Sequence, residues 1–104
     1  MEIIFSEKYL QILYETGKTD KKHRFQPQIV RKYIRVIDLM RDTENTLGLC
    51  RYHSLNYEKL TGDKAGLSSV RVNDQYRIEF EEHVRDGEIV ATICNITDLS
   101  NHYQ

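Results

Sequence analysis

At 104 residues, with 39% hydrophobic and 30% charged side chains, the chain holds one domain, residues 1–104, and falls outside the collagen-like, low-complexity and disordered classes. Fifteen Lys plus Arg against sixteen Asp plus Glu give a net charge of -1, which by itself argues against a strongly nucleic-acid-binding protein. The charge is nonetheless segregated. Residues 18–41 carry eight basic side chains against Asp20 and Asp38, and residues 74–98 carry seven acidic ones against Arg77 and Arg85, so a local basic surface survives near-neutrality. No apolar run approaches bilayer length and Met1-Glu2 opens no signal peptide; the expectation is a cytoplasmic protein with no membrane partner. Cys50 and Cys94 lack CxxC or His/Cys zinc spacing and read as reduced, packed thiols, with no metal or cofactor implied.

Glu2 to Phe5 is a short apolar run suited to a first strand, and Ser6 is a candidate N-cap with Glu7 in the first turn of a helix. Tyr9, Leu10, Leu13 and Tyr14 share a stripe at helical spacing, which Gly17 ends. Lys18 to Gln26 is polar and basic. Pro27 suits the first turn of a second helix, whose Ile29, Val30, Tyr33, Val36, Ile37 and Met40 form an apolar face. Arg31, Lys32 and Arg35 lie mostly on its other side. From Asp42 to Asp63 no period is sustained, Gly48 and Gly62 act as breakers, and the segment reads mostly as loop. After Gly66 the period becomes two: Val70 and Val72 alternate with Ser69, Arg71 and Asn73, and Tyr76, Ile78 and Phe80 alternate with Arg77, Glu79 and Glu81, around an Asn73-Asp74 turn. Arg85-Asp86-Gly87 is a second turn, leading into Glu88 to Thr97, a strand apolar on both faces and expected inside a sheet. The sum is an α+β domain of order βααβββ, its helices covering one sheet face, with a short C-terminal tail.

Placing Val72 and Tyr76 on one face leaves two hairpin registers, because a one-residue slip would turn every side chain over. With Val72 opposite Tyr76, Arg71 faces Arg77, and two like charges across a sheet call for an anion between them. With Asn73 opposite Arg77, Arg71 faces Glu79 in an ordinary cross-strand salt bridge. Charged residues on the outer face of a half-buried sheet are routine, so the pattern alone favours a solvated face over a phosphate site. Lys59 and Lys64, flanking Gly62-Asp63, and His102 and Tyr103 beyond the last strand are further groups that an anion could gather. His titrates near neutrality and Tyr offers a stacking surface for a base.

Residues 54–66, Ser-Leu-Asn-Tyr-Glu-Lys-Leu-Thr-Gly-Asp-Lys-Ala-Gly, and residues 69–80, Ser-Val-Arg-Val-Asn-Asp-Gln-Tyr-Arg-Ile-Glu-Phe, resemble the HigB branch of the RelE toxin superfamily. The resemblance implies a RelE-like fold, with two N-terminal helices packed on a small twisted antiparallel sheet. It also implies the toxin of a type II toxin-antitoxin pair: a metal-independent endoribonuclease that cuts messenger RNA, usually on the ribosome, and is restrained by a cognate helix-turn-helix antitoxin. Arg71 and Arg77 match family arginines that hold the phosphate, and their planar forks suit two phosphate oxygens at once. Lys59 matches a basic position before Gly-Asp. Asp98 or His102 matches the C-terminal region that supplies acid-base groups, and Tyr103 would orient or stack on a base. The chain departs from the pattern at Thr61, where many relatives have Lys, and at Glu58, where some have His. Those departures motivate a second reading, a binding module that keeps the antitoxin contact and has lost cleavage; a ribosome-independent ribonuclease is a third.

Overall fold

The apolar stripe of the longer helix is the spine of the molecule, a computed structural model of which describes residues 1–101. Strand β1 is Glu2–Phe5, helix α1 Lys8–Thr16 and helix α2 Pro27–Asp42. Pro27 stands in the first turn of α2, where its missing N–H costs nothing. The α2 residues Ile29, Val30, Tyr33, Val36, Ile37 and Met40 are all buried, as the spacing requires, and pack with Leu10 and Leu13 of α1. The buried Tyr33 hydroxyl donates to the Leu10 carbonyl at 2.8 Å, which ties the two helices together without stranding a polar atom. Gly17 ends α1 at φ 74°, and its N–H donates to the Leu13 carbonyl. Ser6 is not the cap. Its N–H donates to the Ile96 carbonyl at 2.9 Å and so extends the sheet by a residue, leaving the N-cap position to Glu7.

Strands β2 (Glu58–Lys59), β3 (Ser68–Arg71), β4 (Arg77–His83) and β5 (Ile93–Ser100) complete a five-stranded sheet of order β1-β5-β4-β3-β2. The expected antiparallel sheet is therefore mixed, because β1 runs parallel to β5 with Glu2 beside Ile93 and Phe5 beside Ile96. Parallel pairing needs a long return connection, and the chain from α1 onward supplies it. The expected order also lacks β2, a two-residue edge strand set in the segment taken as loop. That segment further contains 3₁₀ turns at Thr46–Arg51, His53–Leu55 and Gly62–Lys64, which a search for longer periods cannot detect.

The last strand starts and ends later than Glu88 to Thr97. Its ladder with β4 begins at His83 opposite Ile93, and the residues before it form the connection, with Ile89 97% exposed. Gly87 makes the turn there at φ 82°. β5 does lie inside the sheet, between β1 and β4. One face of the sheet, carrying Val70, Val72, Ile78, Phe80, Cys94, Ile96 and Leu99, joins the helices in a single core. The thiols differ from expectation in one respect: Cys94 is packed there, whereas Cys50 is exposed. Burial raises the Cys94 thiol to about 12 and keeps it protonated.

Candidate functional site

The β3–β4 hairpin sets the centre of the site. The Asn73 side chain accepts from the N–H groups of Gln75 and Tyr76 at 2.9 and 2.8 Å, and the Val72 N–H donates to the Tyr76 carbonyl. This turn fixes the register that places Arg71 directly opposite Arg77, and Glu79 opposite Ser69. The alternative register, with Arg71 against Glu79, is not adopted. Two guanidinium side chains thus share one face on neighbouring strands.

Their surroundings differ sharply, and the solvated outer face expected from the alternation holds for only one of them. The Arg71 side chain is 38% exposed and pairs with Asp74 at the hairpin tip. Arg77 is buried. Its Nε donates to Ser69 Oγ at 2.8 Å and its Nη2 to the carbonyls of Asn56 and Ser69, with the Glu58 carboxylate 4.0 Å away. Asn56 presents that carbonyl from the left-handed region, φ 42°, which Asn enters more readily than most residues. Glu79 is also buried, and Lys64 reaches it with an ion pair. The polar row Ser69, Arg77, Glu79 and Ser100 is therefore a second interior layer on the sheet's far face.

Asp98 is brought beside this row by a bulge. Phe80 pairs with Ile96 and Glu79 with Asp98, so Thr97 is the extra residue, and its hydroxyl donates to the Glu79 carbonyl. Two positions further along β5, Ser100 lies opposite Arg77. The Asp98 carboxylate accepts from the Tyr9 hydroxyl at 3.4 Å. The Tyr9 ring in turn stacks on His23, with centroids 3.5 Å apart and planes 4° from parallel, and His23 Nδ1 is 3.0 Å from Asp20. Burial, then the Asp98 charge, raises the Tyr9 phenol to about 12, so at neutral pH it is a donor. The hydrogen bond with His23 holds the Asp20 carboxyl below its ordinary value.

Sequence reasoning missed Tyr9, His23 and Asp20 as a unit. Tyr9 was legible only as part of an apolar stripe, and no local spacing links it to residue 98. Lys59 lies exposed on β2, while Lys64 is engaged by Glu79. His102 and Tyr103 lie outside the described residues. Among the described residues, no group of three or more His, Cys, Asp or Glu side chains is placed to hold a metal ion. No helix among them is long and apolar enough to cross a membrane.

Comparison with known proteins agrees with this fold. Residues 3–96 match the family model of the HigB-like toxins, described as the RelE-like toxin of the type II toxin-antitoxin system HigB. Toxin HigB-1 of Vibrio cholerae serotype O1 is 30% identical over 82 residues, covering 78% of this chain and 83% of that protein. Among solved structures, a YoeB/ParE toxin from Agrobacterium tumefaciens is similar with a TM-score of 0.57 and 19% identity, covering 99% of this chain and 100% of its own. The toxin-antitoxin heterotetramer YoeB-YefM from Staphylococcus aureus contains a chain similar at TM-score 0.53 and 21% identity, with 99% and 98% coverage. These two structures establish likeness of fold, and the family match and the Vibrio relative establish kinship. The chain belongs to the HigB-like family of RelE-like toxins, the toxin components of type II toxin-antitoxin systems.

Proposed function

We propose that this toxin is a metal-independent endoribonuclease that cuts messenger RNA on the ribosome, inhibits translation in the cytoplasm and is held inactive by a cognate helix-turn-helix antitoxin. The observation that carries the reading is Arg71 on β3 opposite Arg77 on β4, with Asp98 on the next strand, β5. In the reaction the ribose 2′-hydroxyl attacks the adjacent phosphorus. A 2′-O–P bond forms, the P–O5′ bond breaks, the 2′ proton passes to a base and the leaving 5′ oxygen takes a proton from an acid. Asp98 is the base and His102 the acid. Arg71, reachable from solvent, binds the phosphate oxygens as charge accumulates on them, and the guanidinium charge stands where other nucleases place a metal. Arg77 lies behind it as a fixed cation braced by Asn56 and Ser69. Lys59 and Lys64 border the RNA path and Tyr103 stacks on a base. The likeness of fold to a toxin crystallised with its antitoxin, together with the family membership, supports the partner.

The second reading, a module that binds its antitoxin without cutting RNA, is favoured by one observation: Arg77 already donates to Ser69 and Asn56. Single-turnover cleavage of ribosome-bound messenger RNA separates the two. Arg71→Ala, at a half-exposed position, should keep the fold by circular dichroism and lose cleavage by roughly a hundred- to a thousandfold, the cost of one transition-state donor. His102→Gln should lower the rate more than binding. A wild-type chain that arrests no growth and cuts no message would establish the binding module instead.

A further inference from the structure

A cleft of about 460 Å³ separates α2 from the β3 end of the sheet, and its walls are not those of the phosphate site alone. Lys32 and Arg35 of α2 line it together with Arg71. Both α2 cations are exposed, and among the described residues neither has an ion pair. Aliphatic side chains, Val36 of α2 and Leu55 of a 3₁₀ turn among them, form the floor. Asp38 and Asp42 line the same cleft further along the helix. Lys32, Arg35, Leu39 and Asp42 recur at helical spacing, so the cleft runs along one α2 face with cations toward the N-terminal part and carboxylates toward the C-terminal end. The volume falls within the range of about 300–1,000 Å³ typical of small-ligand sites.

We infer that this cleft is a subsite for one unstacked nucleotide of the RNA, its phosphate on Lys32 and Arg35, its base on the aliphatic floor and an exocyclic amine of that base donated to Asp38 or Asp42. The inference rests on RNA being the substrate and adds where a nucleotide beside the scissile phosphate is held and which bases it accepts. Charge complementarity selects the occupant. Two α2 cations without carboxylate partners, Lys32 and Arg35, call for an anion, while two carboxylates at the far end call for a donor that the anion itself does not carry. Arg35 and Asp42 are about 10 Å apart along the helix axis, seven residues at the α-helical rise, which suits the reach of a nucleotide from phosphate to base edge. The Tyr14 hydroxyl occupies one oxygen of Asp38 at 2.5 Å and leaves the other for a ligand. Carboxylates accept from the amine of cytosine, and uracil has a carbonyl oxygen at the same place, so the two pyrimidines differ in the one group the subsite reads.

The experiment measures binding of 5′-phosphorylated 2′-O-methyl RNA hexamers, oligo-C and oligo-U, to the full chain by fluorescence anisotropy. The methyl group removes the nucleophile, so binding is read whether or not the chain cleaves RNA. Wild type should bind oligo-C at least fivefold more tightly than oligo-U. Arg35→Glu should weaken both by tenfold or more, Arg35→Ala should reduce the dependence of log K on log salt by about one, and the double change Asp38→Ala with Asp42→Ala should erase the preference for C. Arg35→Gln serves if the charge reversal perturbs the helix, with fold checked by circular dichroism. A cleavage-dead chain that still prefers oligo-C would keep the subsite and remove the endonuclease reading. Equal affinity for the two hexamers, or full affinity in both Arg35 variants, overturns the inference. Unchanged RNA binding with lost capture of the purified cognate antitoxin in Arg35→Glu would also overturn it and assign the cleft to the protein partner.

Discussion

Arg77 sits in the polar layer as a structural group as well as a charge. Replacing it by Ala leaves the Asn56 carbonyl without its guanidinium donor in a buried setting, a loss of roughly 1–3 kcal/mol by the usual cost of an unsatisfied group. Urea denaturation should therefore show Arg77→Ala clearly less stable than wild type and Arg71→Ala close to it; equal stability of the two would contradict the asymmetry of their surroundings. A toxicity assay on the double variant would confuse unfolding with lost chemistry, so the single Arg71 change is the informative one. Tyr9, also at this scale, ties Asp98 to α1. Tyr9→Phe removes that donor while leaving the His23 stacking surface in place and, with Asp98 as the proposed base, should alter the pH profile of cleavage.

Among the elements, α1 depends on its last turn. Gly17 occupies the left-handed region, and an added Cβ would meet only Val30 Cγ1 at 3.9 Å, an ordinary van der Waals contact, so Gly17→Ala carries only the backbone penalty of about 1 kcal/mol. Differential scanning calorimetry should find the midpoint lowered by about 4–8 °C, the shift expected of a domain this size. Gly17, the α2 stripe and the Asn73 turn were legible because each signal is local: a residue type or period decides it within one element. The parallel partner of β1 was not, since four residues of apolar strand carry no record of which distant edge they join. The site divides the same way. Alternation put Arg71, Arg77 and Glu79 on one face and narrowed the register to two, but it could not say that Asn56 and the 3₁₀ turns around it would cover Arg77 and Glu79. Asp98 entered through family resemblance, and its Tyr9 partner is set by a bulge that no pattern announces.

For the molecule as a whole, several phenols resist ionisation. Burial raises Tyr9 to about 12 and pushes Tyr33 and Tyr57 above the ordinary tyrosine value. The folded state therefore keeps protons that the unfolded chain releases from about pH 10, so stability is fully present below pH 10 and is lost as pH rises toward 12. Denaturation midpoints measured from pH 8 to 12 should fall only above pH 10, alongside a delayed phenolate absorbance; a fall starting near neutrality would contradict the assignment. The position of β5 has a different kind of consequence. It follows every other strand in sequence yet lies between β1 and β4, so the sheet remains in two unjoined parts until residues 93–100 have been made. A chain stopped at Thr92 should show no cooperative unfolding. During synthesis the delay after β4 leaves the ribosome is on the order of a second, within which the protein is physically incomplete. Any message that ends ahead of the β5 codons therefore yields a product whose sheet never closes, so the last strand decides whether a folded toxin is made at all.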